Sequence, residues 1–409
     1  MVSRPIYLKT LMEFKDKNII KIVTGIRRSG KSTLLKLFAE QLRKDGVKDE
    51  NIIEMNFESI RFKDITDYLA LYNHIKEKIA AVGKTYLIFD EIQMVEKWQK
   101  AIDSFQVDFD VDIYITGSNA YLLSSELSTL LSGRYVEIKM LPLSFKEFLD
   151  FYTFEEMATN EDKFQKYLKF GGMPAIHELN FNERRVNEML EGIYSTVILK
   201  DVLDRNKVSD QMILQKIVAF LSDNIGNITS PNSIGKILAS QGDIDEGKSR
   251  KNPASKTVEN YIGMLQNAFI FYGLDRYDIK GKQLLKTLGK YYIVDLGLRN
   301  MLLGYRDIDR GHILENVVYF ELLRRGYRVT IGKVGEKEVD FVAERPNDKK
   351  YIQVTETMLG EETRQRELDP LKSISDNYEK IVLSLDKSFI QSYEGIKVIN
   401  IIDYLLSDE

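Results

Sequence analysis

The spacing of hydrophobic and polar positions changes several times along the chain. Up to residue 140, short runs rich in β-branched and aromatic residues occupy 18–23, 51–57, 85–90, 111–116 and 135–140. Between them, at 31–44, 65–81, 95–105 and 120–131, apolar positions fall on one face of a helix. Strands joined through helices predict a five-stranded parallel α/β domain over residues 1–142. From 143 to 205 the periodicity is almost wholly helical, broken at Gly171-Gly172-Met173-Pro174, where glycine and proline force a turn; this predicts a helical lid. Residues 206–305 read as helices followed by short strands, with a polar loop at 241–255 before a helical run at 256–269. Residues 306–409 read as a helix at 312–325, strands at 327–333, 338–343 and 351–355, then a helix and a strand, which predicts a small α/β domain.

Composition narrows the class without choosing the function. A chain of 409 residues is longer than one hydrophobic core usually grows, so several domains are expected. With 44% hydrophobic and 29% charged residues it belongs with globular proteins, and its net charge of −4 permits local basic patches only. The absence of cysteine excludes disulfides, thiol catalysis and cysteine-ligated zinc, and fits a reducing compartment. No apolar run approaches a membrane span and no cleavable leader pattern opens the chain, so a cytoplasmic protein without membrane partners is expected. His74, His177 and His312 stand in unrelated contexts and read as ordinary histidines.

The chemistry begins at Gly25-Ile26-Arg27-Arg28-Ser29-Gly30-Lys31-Ser32, followed by Thr33. This matches GxxxxGK[ST] between an expected strand and an expected helix, the placement in which backbone N–H groups and a helix N-terminus cradle phosphates. Lys31 would reach the β- and γ-phosphates of ATP and Ser32 would ligate Mg²⁺. A second signature ends the strand Tyr86-Leu87-Ile88-Phe89-Asp90-Glu91 with two carboxylates. Asp90 would hold the metal and Glu91 would polarise the attacking water; the alternative is a buried strand with a solvated acidic end. Ser118 and Asn119 close another strand on the same sheet edge, where either could orient that water. Arg134, after Leu131-Ser132-Gly133, is a candidate for a finger reaching the γ-phosphate of a neighbouring subunit, or a cation satisfying a helix C-terminus.

Taken together, GIRRSGKS, LIFDEIQ, ITGSNAYLL, LLSGRYVEIKMLPLSFKEF and YLKFGGMP resemble the prokaryotic AAA-type ATPases that carry a C-terminal domain of unknown function. The resemblance runs over nearly the whole chain. It implies a P-loop NTPase core with bound ATP or ADP and Mg²⁺, Asn119 at the sensor-1 position and Arg134 as the finger of a homo-oligomer. It also makes Gly172-Met173-Pro174 similar to the GxP lid motif of signal-transduction (STAND) ATPases, whose proline packs near adenine.

The remaining half carries two further resemblances. Residues 206–305 are similar to a winged helix, with Ser255 opening the helix in the recognition position. Lys248, Arg250, Lys251 and Lys256 flank that helix and Lys280, Lys282 and Lys286 mark the expected wing, so DNA is one candidate partner; the alternative is an interdomain or protein-binding module. Residues 306–409 resemble a PD-(D/E)xK nuclease core, with Glu315, Asp340 and the strand Tyr351-Ile352-Gln353-Val354-Thr355. An active core wants a carboxylate and a lysine where Gln353 and Thr355 stand, and strand alternation puts Glu356 on the opposite face from Gln353, so weak or absent cleavage is expected. Glu315 and Asp340 also admit a purely structural reading. Three functions are therefore in contention: an ATP-hydrolysing AAA-type switch or motor acting on DNA or a bound partner; a STAND-like regulator that binds a protein and hydrolyses slowly; and an ATP-regulated nuclease.

Overall fold

β1 (Ile20–Thr24) is buried at every position and lies between β4 (Val111–Gly117) and β5 (Tyr135–Lys139), parallel to both. Addition of β2 (Ile52–Asn56) and β3 (Thr85–Asp90) gives a five-stranded parallel sheet of order β2-β3-β4-β1-β5. Apolar runs without alternation form such strands because both faces are covered. The covering helices are α1 (Pro5–Glu13), α2 (Lys31–Lys44), α3 (Tyr68–Lys76) and α4 (Trp98–Asp108). One face of the sheet packs with Leu34, Phe38 and Leu42 of α2, the other with Leu71 and Ile75 of α3 and Ile102 and Phe105 of α4. All five expected strands and the expected parallel sheet are present. The helices expected at 65–81 and 95–105 are displaced or shortened, and Asp67 accounts for the start of the first by accepting hydrogen bonds from the Leu69 and Ala70 amides as its N-cap.

The computed structural model describes residues 4–407 apart from 121–132, 156, 205, 207, 209, 241–254, 307–309 and 388–389. The helix expected at 120–131 lies outside them except for its first residue, as do Lys248, Arg250 and Lys251; the Lys286 side chain is likewise not described. The chain divides into two compact units, one of residues 1–142 with 267–269, the other of 143–266 with 270–409.

The second unit begins with α5 (Phe145–Phe151), α6 (Asn160–Phe170), a 3₁₀ turn (Pro174–Leu179), α7 (Glu183–Thr196) and a π-helical segment (Val197–Leu203). Capping boxes start α5 at Ser144 with Glu147 and α6 at Thr159 with Asp162, so the N-termini of these two helices are written locally in the sequence. Then come α8 (Gln211–Asp223), α9 (Pro231–Ser240), α10 (Ser255–Asn267), the hairpin β6 (Phe271–Asp278) and β7 (Gln283–Ile293), and α11 (Leu296–Leu303). Three helices and a hairpin follow one another here, as the helix-then-strand pattern predicts. The hairpin, however, is the edge of a larger sheet: β6 pairs in parallel with β8 (Arg328–Val334). That sheet continues through β9 (Lys337–Arg345), β10 (Asp348–Val354), β11 (Glu379–Ser384), β13 (Ile396–Asn400) and β12 (Ser392–Tyr393), in the order β12-β13-β11-β10-β9-β8-β6-β7. It therefore crosses the expected boundary at 305/306. Three helices complete the unit: α12 (Arg310–Arg324), buried from Ile313 through Leu322, α13 (Glu361–Lys372) and α14 (Ile401–Leu406).

Candidate nucleotide site

The loop after β1 is shaped by backbone conformations that side chains resist. Gly25 has φ 143° and Gly30 φ 101°, and a Cβ on Gly25 would collide with the Met140 carbonyl oxygen. Arg28, with φ 66°, is also left-handed. Gly30 is the N-cap of α2 and supplies no side-chain acceptor, and the first turn of α2 contains no acidic residue. The helix thus presents its N-terminal donors and positive dipole end to the loop, an arrangement that suits an anion. Lys31 lies inside the loop, its Nζ donating to the carbonyls of Gly25 at 2.8 Å and Ile26 at 3.0 Å. Ser29 Oγ is buried without a hydrogen-bond partner among the described residues. An N-terminal donor array, an ammonium and an unsatisfied hydroxyl in one loop fit a polyphosphate. Ser32 and Thr33, half-buried, open α2 behind Lys31.

Arg4, which sequence reasoning passed over, braces this loop. Its guanidinium donates to the carbonyls of Ser29 at 3.2 Å, Leu141 at 2.7 Å and Pro142 at 3.2 Å, and stacks 4.6 Å from the Tyr7 ring centroid. Arginine immediately ahead of an amphipathic helix reads as an ordinary surface cation, so no local signal marks it.

The carboxyl end of β3 supplies the acidic groups. Asp90 accepts from Thr116 Oγ1 at 2.5 Å and from Asn56 Nδ2 at 2.7 Å, which fixes its carboxylate from β4 and β2 at once. Glu91 is left-handed (φ 56°, ψ 45°), and its amide donates to Thr116 Oγ1 at 3.0 Å. Thr116 thereby sets both acids, a role visible only once β3 and β4 are known to be neighbours. Gln93 Nε2 donates to Glu91 Oε2, and Ser118 Oγ lies 3.5 Å from the same oxygen. Burial raises the Glu91 pKa above the ordinary carboxylate value, opposed by the positive charges of Lys31 and Arg27. A buried carboxylate made more basic, within the field of the phosphate-loop cations, is equipped to accept a proton. Arg27 itself donates to Glu58 at 3.0 Å.

Asn119 is fully buried directly after β4, on the sheet edge that carries Asp90 and the loop. Arg134 lies at the other edge. Its carbonyl accepts from Ile20 N at 2.9 Å where β5 enters the sheet, about 15 Å along the strand from Gly25. Its guanidinium lies 3.5 Å from Asp103, both side chains 45% exposed. Within one chain Arg134 is thus remote from the loop, and a finger role would require a second copy. Pro174 belongs to the second unit, where it begins the 3₁₀ turn and accepts from His177 Nδ1 at 2.8 Å through its carbonyl. Gly172 N, just before it, donates to Asp295 Oδ2 at 2.6 Å.

An uncharacterized protein of Haemophilus influenzae is 42% identical to this chain over 409 residues, covering 99% of each. The family described as AAA domain matches residues 17–149. The chain belongs to a family of AAA-domain proteins. A further uncharacterized member, MJ1544 of Methanocaldococcus jannaschii, is 30% identical over 92% of this chain and 82% of its own. Residues 161–309 match a domain of unknown function (DUF8612), so in this chain the AAA domain is followed by a part with no assigned activity. Among solved structures, the Walker-type ATPase PABY2304 of Pyrococcus abyssi matches with a TM-score of 0.51 at 15% identity, over 74% of this chain and 96% of that one. That likeness shows a shared P-loop ATPase fold. Among the described residues no helix is long and apolar enough to cross a membrane.

Proposed function

We propose that this protein binds ATP with Mg²⁺ in the loop 25–32, hydrolyses it, and uses the cycle as a conformational switch or motor. The observation that carries the reading is Glu91, a buried and proton-avid carboxylate held by Gln93 and Ser118 within the electrostatic reach of Lys31. Ser32 and Asp90 are the residues that would hold the metal, which when bound neutralises charge on the phosphates. Lys31 would exchange its bonds to the Gly25 and Ile26 carbonyls for phosphate oxygens. Glu91 would take the proton of the attacking water, with Asn119 and Ser118 orienting it.

A switch is favoured over a free lid by the way the turn at Gly171–Pro174 is bonded. Asp295 accepts the Gly172 amide and the Leu298 amide together, joining the turn to the start of α11. A displacement of that turn would pass to the body of the second unit rather than be absorbed locally. The same observation suits a STAND-like regulator in which hydrolysis is slow. DNA as partner rests on Lys256, Lys280 and Lys282, all exposed on α10 and the β6–β7 turn. Oligomerisation rests on the placement of Arg134, and we read the protein as cytoplasmic.

Steady-state phosphate release measured against protein concentration, with duplex DNA added and withheld, separates these readings. A rate per subunit that rises with concentration and falls at least tenfold on Arg134→Ala supports a shared site. Stimulation by DNA supports a DNA motor. A single turnover followed by arrest supports the regulator. If Lys31→Ala binds ATP as tightly as the parent, the nucleotide site is wrongly assigned.

A further inference from the structure

The second unit holds a charged cavity of about 570 Å³, lined by Glu315, Glu338, Asp340, Gln353, Glu367 and Arg366 among others. A nuclease-like core would keep a divalent cation between Glu315 and Asp340, so the fit of such an ion can be judged from the groups present. Those carboxylates already surround a cation. Lys290, reaching in from β7 and 4% exposed, has Nζ 3.0 Å from Glu315, 2.9 Å from Glu338 and 3.7 Å from Asp340. Two further donors reach these carboxylates. Tyr292 donates its hydroxyl to Glu315 Oε2 at 2.7 Å, and the Val354 amide donates to Asp340 Oδ2 at 2.9 Å.

Gln353 completes the exclusion from the β10 side. Its Oε1 accepts from the Asp340 amide at 2.7 Å and its Nε2 donates to Glu367 at 3.0 Å, so both ends of the amide are spent on cavity walls. Mg²⁺ requires near-octahedral oxygen ligands at about 2.0–2.1 Å, and an ammonium between the same carboxylates repels a second cation. Among the described residues no group of three or more His, Asp or Glu is placed to hold a metal ion. A nuclease-type metal therefore does not fit this cavity.

We propose that Lys290 is a built-in cation standing where a divalent metal would stand, so that Glu315, Glu338 and Asp340 take no divalent ion in this protein. The ammonium holds α12 (Glu315), β9 (Glu338, Asp340) and β7 together. Loss of that one charge leaves Glu315, Glu338 and Asp340 without the cation they share and lifts the repulsion against a second one.

Mn²⁺ binding to nucleotide-free full-length protein, followed by loss of the free-ion electron paramagnetic resonance signal and by thermal melting, tests the assignment. The wild type and Asp340→Asn should bind Mn²⁺ equally weakly. Lys290→Met and Lys290→Gln should bind it at least tenfold more tightly and melt higher in its presence, and Asp340→Asn in either background should erase the gain. Folding of a Lys290 variant only when Mn²⁺ is added would support the proposal equally. It is overturned if the wild type shows a Mn²⁺ site, or Mn²⁺-dependent plasmid cleavage, that Asp340→Asn removes. It is also overturned if a folded Lys290 variant gains no Mn²⁺ affinity. Should neither variant fold even with Mn²⁺, the wild-type comparison with Asp340→Asn decides alone.

Discussion

At the scale of single residues, the site depends on groups whose cost elsewhere would be high. Gly25 combines φ 143° with a Cβ position filled by the Met140 carbonyl. Gly25→Ala should therefore destabilise the first unit by roughly 3 kcal/mol or more and abolish ATP binding, measurable by denaturant unfolding and a fluorescent nucleotide. Arg4 donates three hydrogen bonds to carbonyls at the foot of the loop. Arg4→Lys keeps the charge but cannot reproduce the planar fork, so nucleotide affinity should fall several-fold with a lowered melting temperature. Full retention of both would show the brace to be dispensable. Glu91 gives a pH signature: burial raises its pKa and the role proposed for it needs the carboxylate ionised, so activity should be lost on acidification at a pH above the ordinary carboxylate range.

At the scale of elements, the nucleotide half of the molecule was far more legible than the rest, for physical reasons. The strands and α2 were visible because fully buried parallel strands read as unbroken apolar runs and α2 starts at a motif with its own punctuation. Lys31, Asp90 and Glu91 come together because parallel strands deliver their carboxyl ends to one edge. Thr116 and Arg4 were not legible, since each acts through partners set by strand order or distant in sequence. The pairing of β6 with β8 was hidden for the same reason: period-2 alternation marks a hairpin but not the sheet it joins. Lys290 followed from that pairing, because only the hairpin's place in the sheet brings it to Glu315.

The Gly171–Pro174 turn offers a test at this scale. Asp295 is buried, and burial pushes its pKa from 3.8 up to about 6. Its proton is held more tightly in the folded than in the unfolded state, so its contribution to stability is full below 3.8 and lost as pH rises through about 6. Between pH 5 and pH 7.5 the wild type should lose about 1.4 kcal/mol of stability to urea relative to Asp295→Asn. Parallel pH profiles for the two proteins would remove this assignment.

For the whole molecule, a unit carrying the nucleotide site is joined in one chain to a second unit built on one eight-stranded sheet that includes the hairpin. The family match to an AAA domain at 17–149 and to a domain of unknown function at 161–309 divides the chain in the same sense. Arg134 lies at the sheet edge opposite the loop, so the finger role proposed for it needs a second chain. Everything proposed for the second unit as a switch presumes that the first one turns over ATP. That is measured most directly by comparing wild type with Glu91→Gln at saturating ATP and Mg²⁺, recording nucleotide affinity and phosphate release on the same preparations. Affinities should lie within a few-fold of each other, with phosphate release reduced by about 10² to 10⁴ in the variant. Equal release rates, or a wild type that binds ATP without releasing phosphate in even a single turnover, would contradict the assignment.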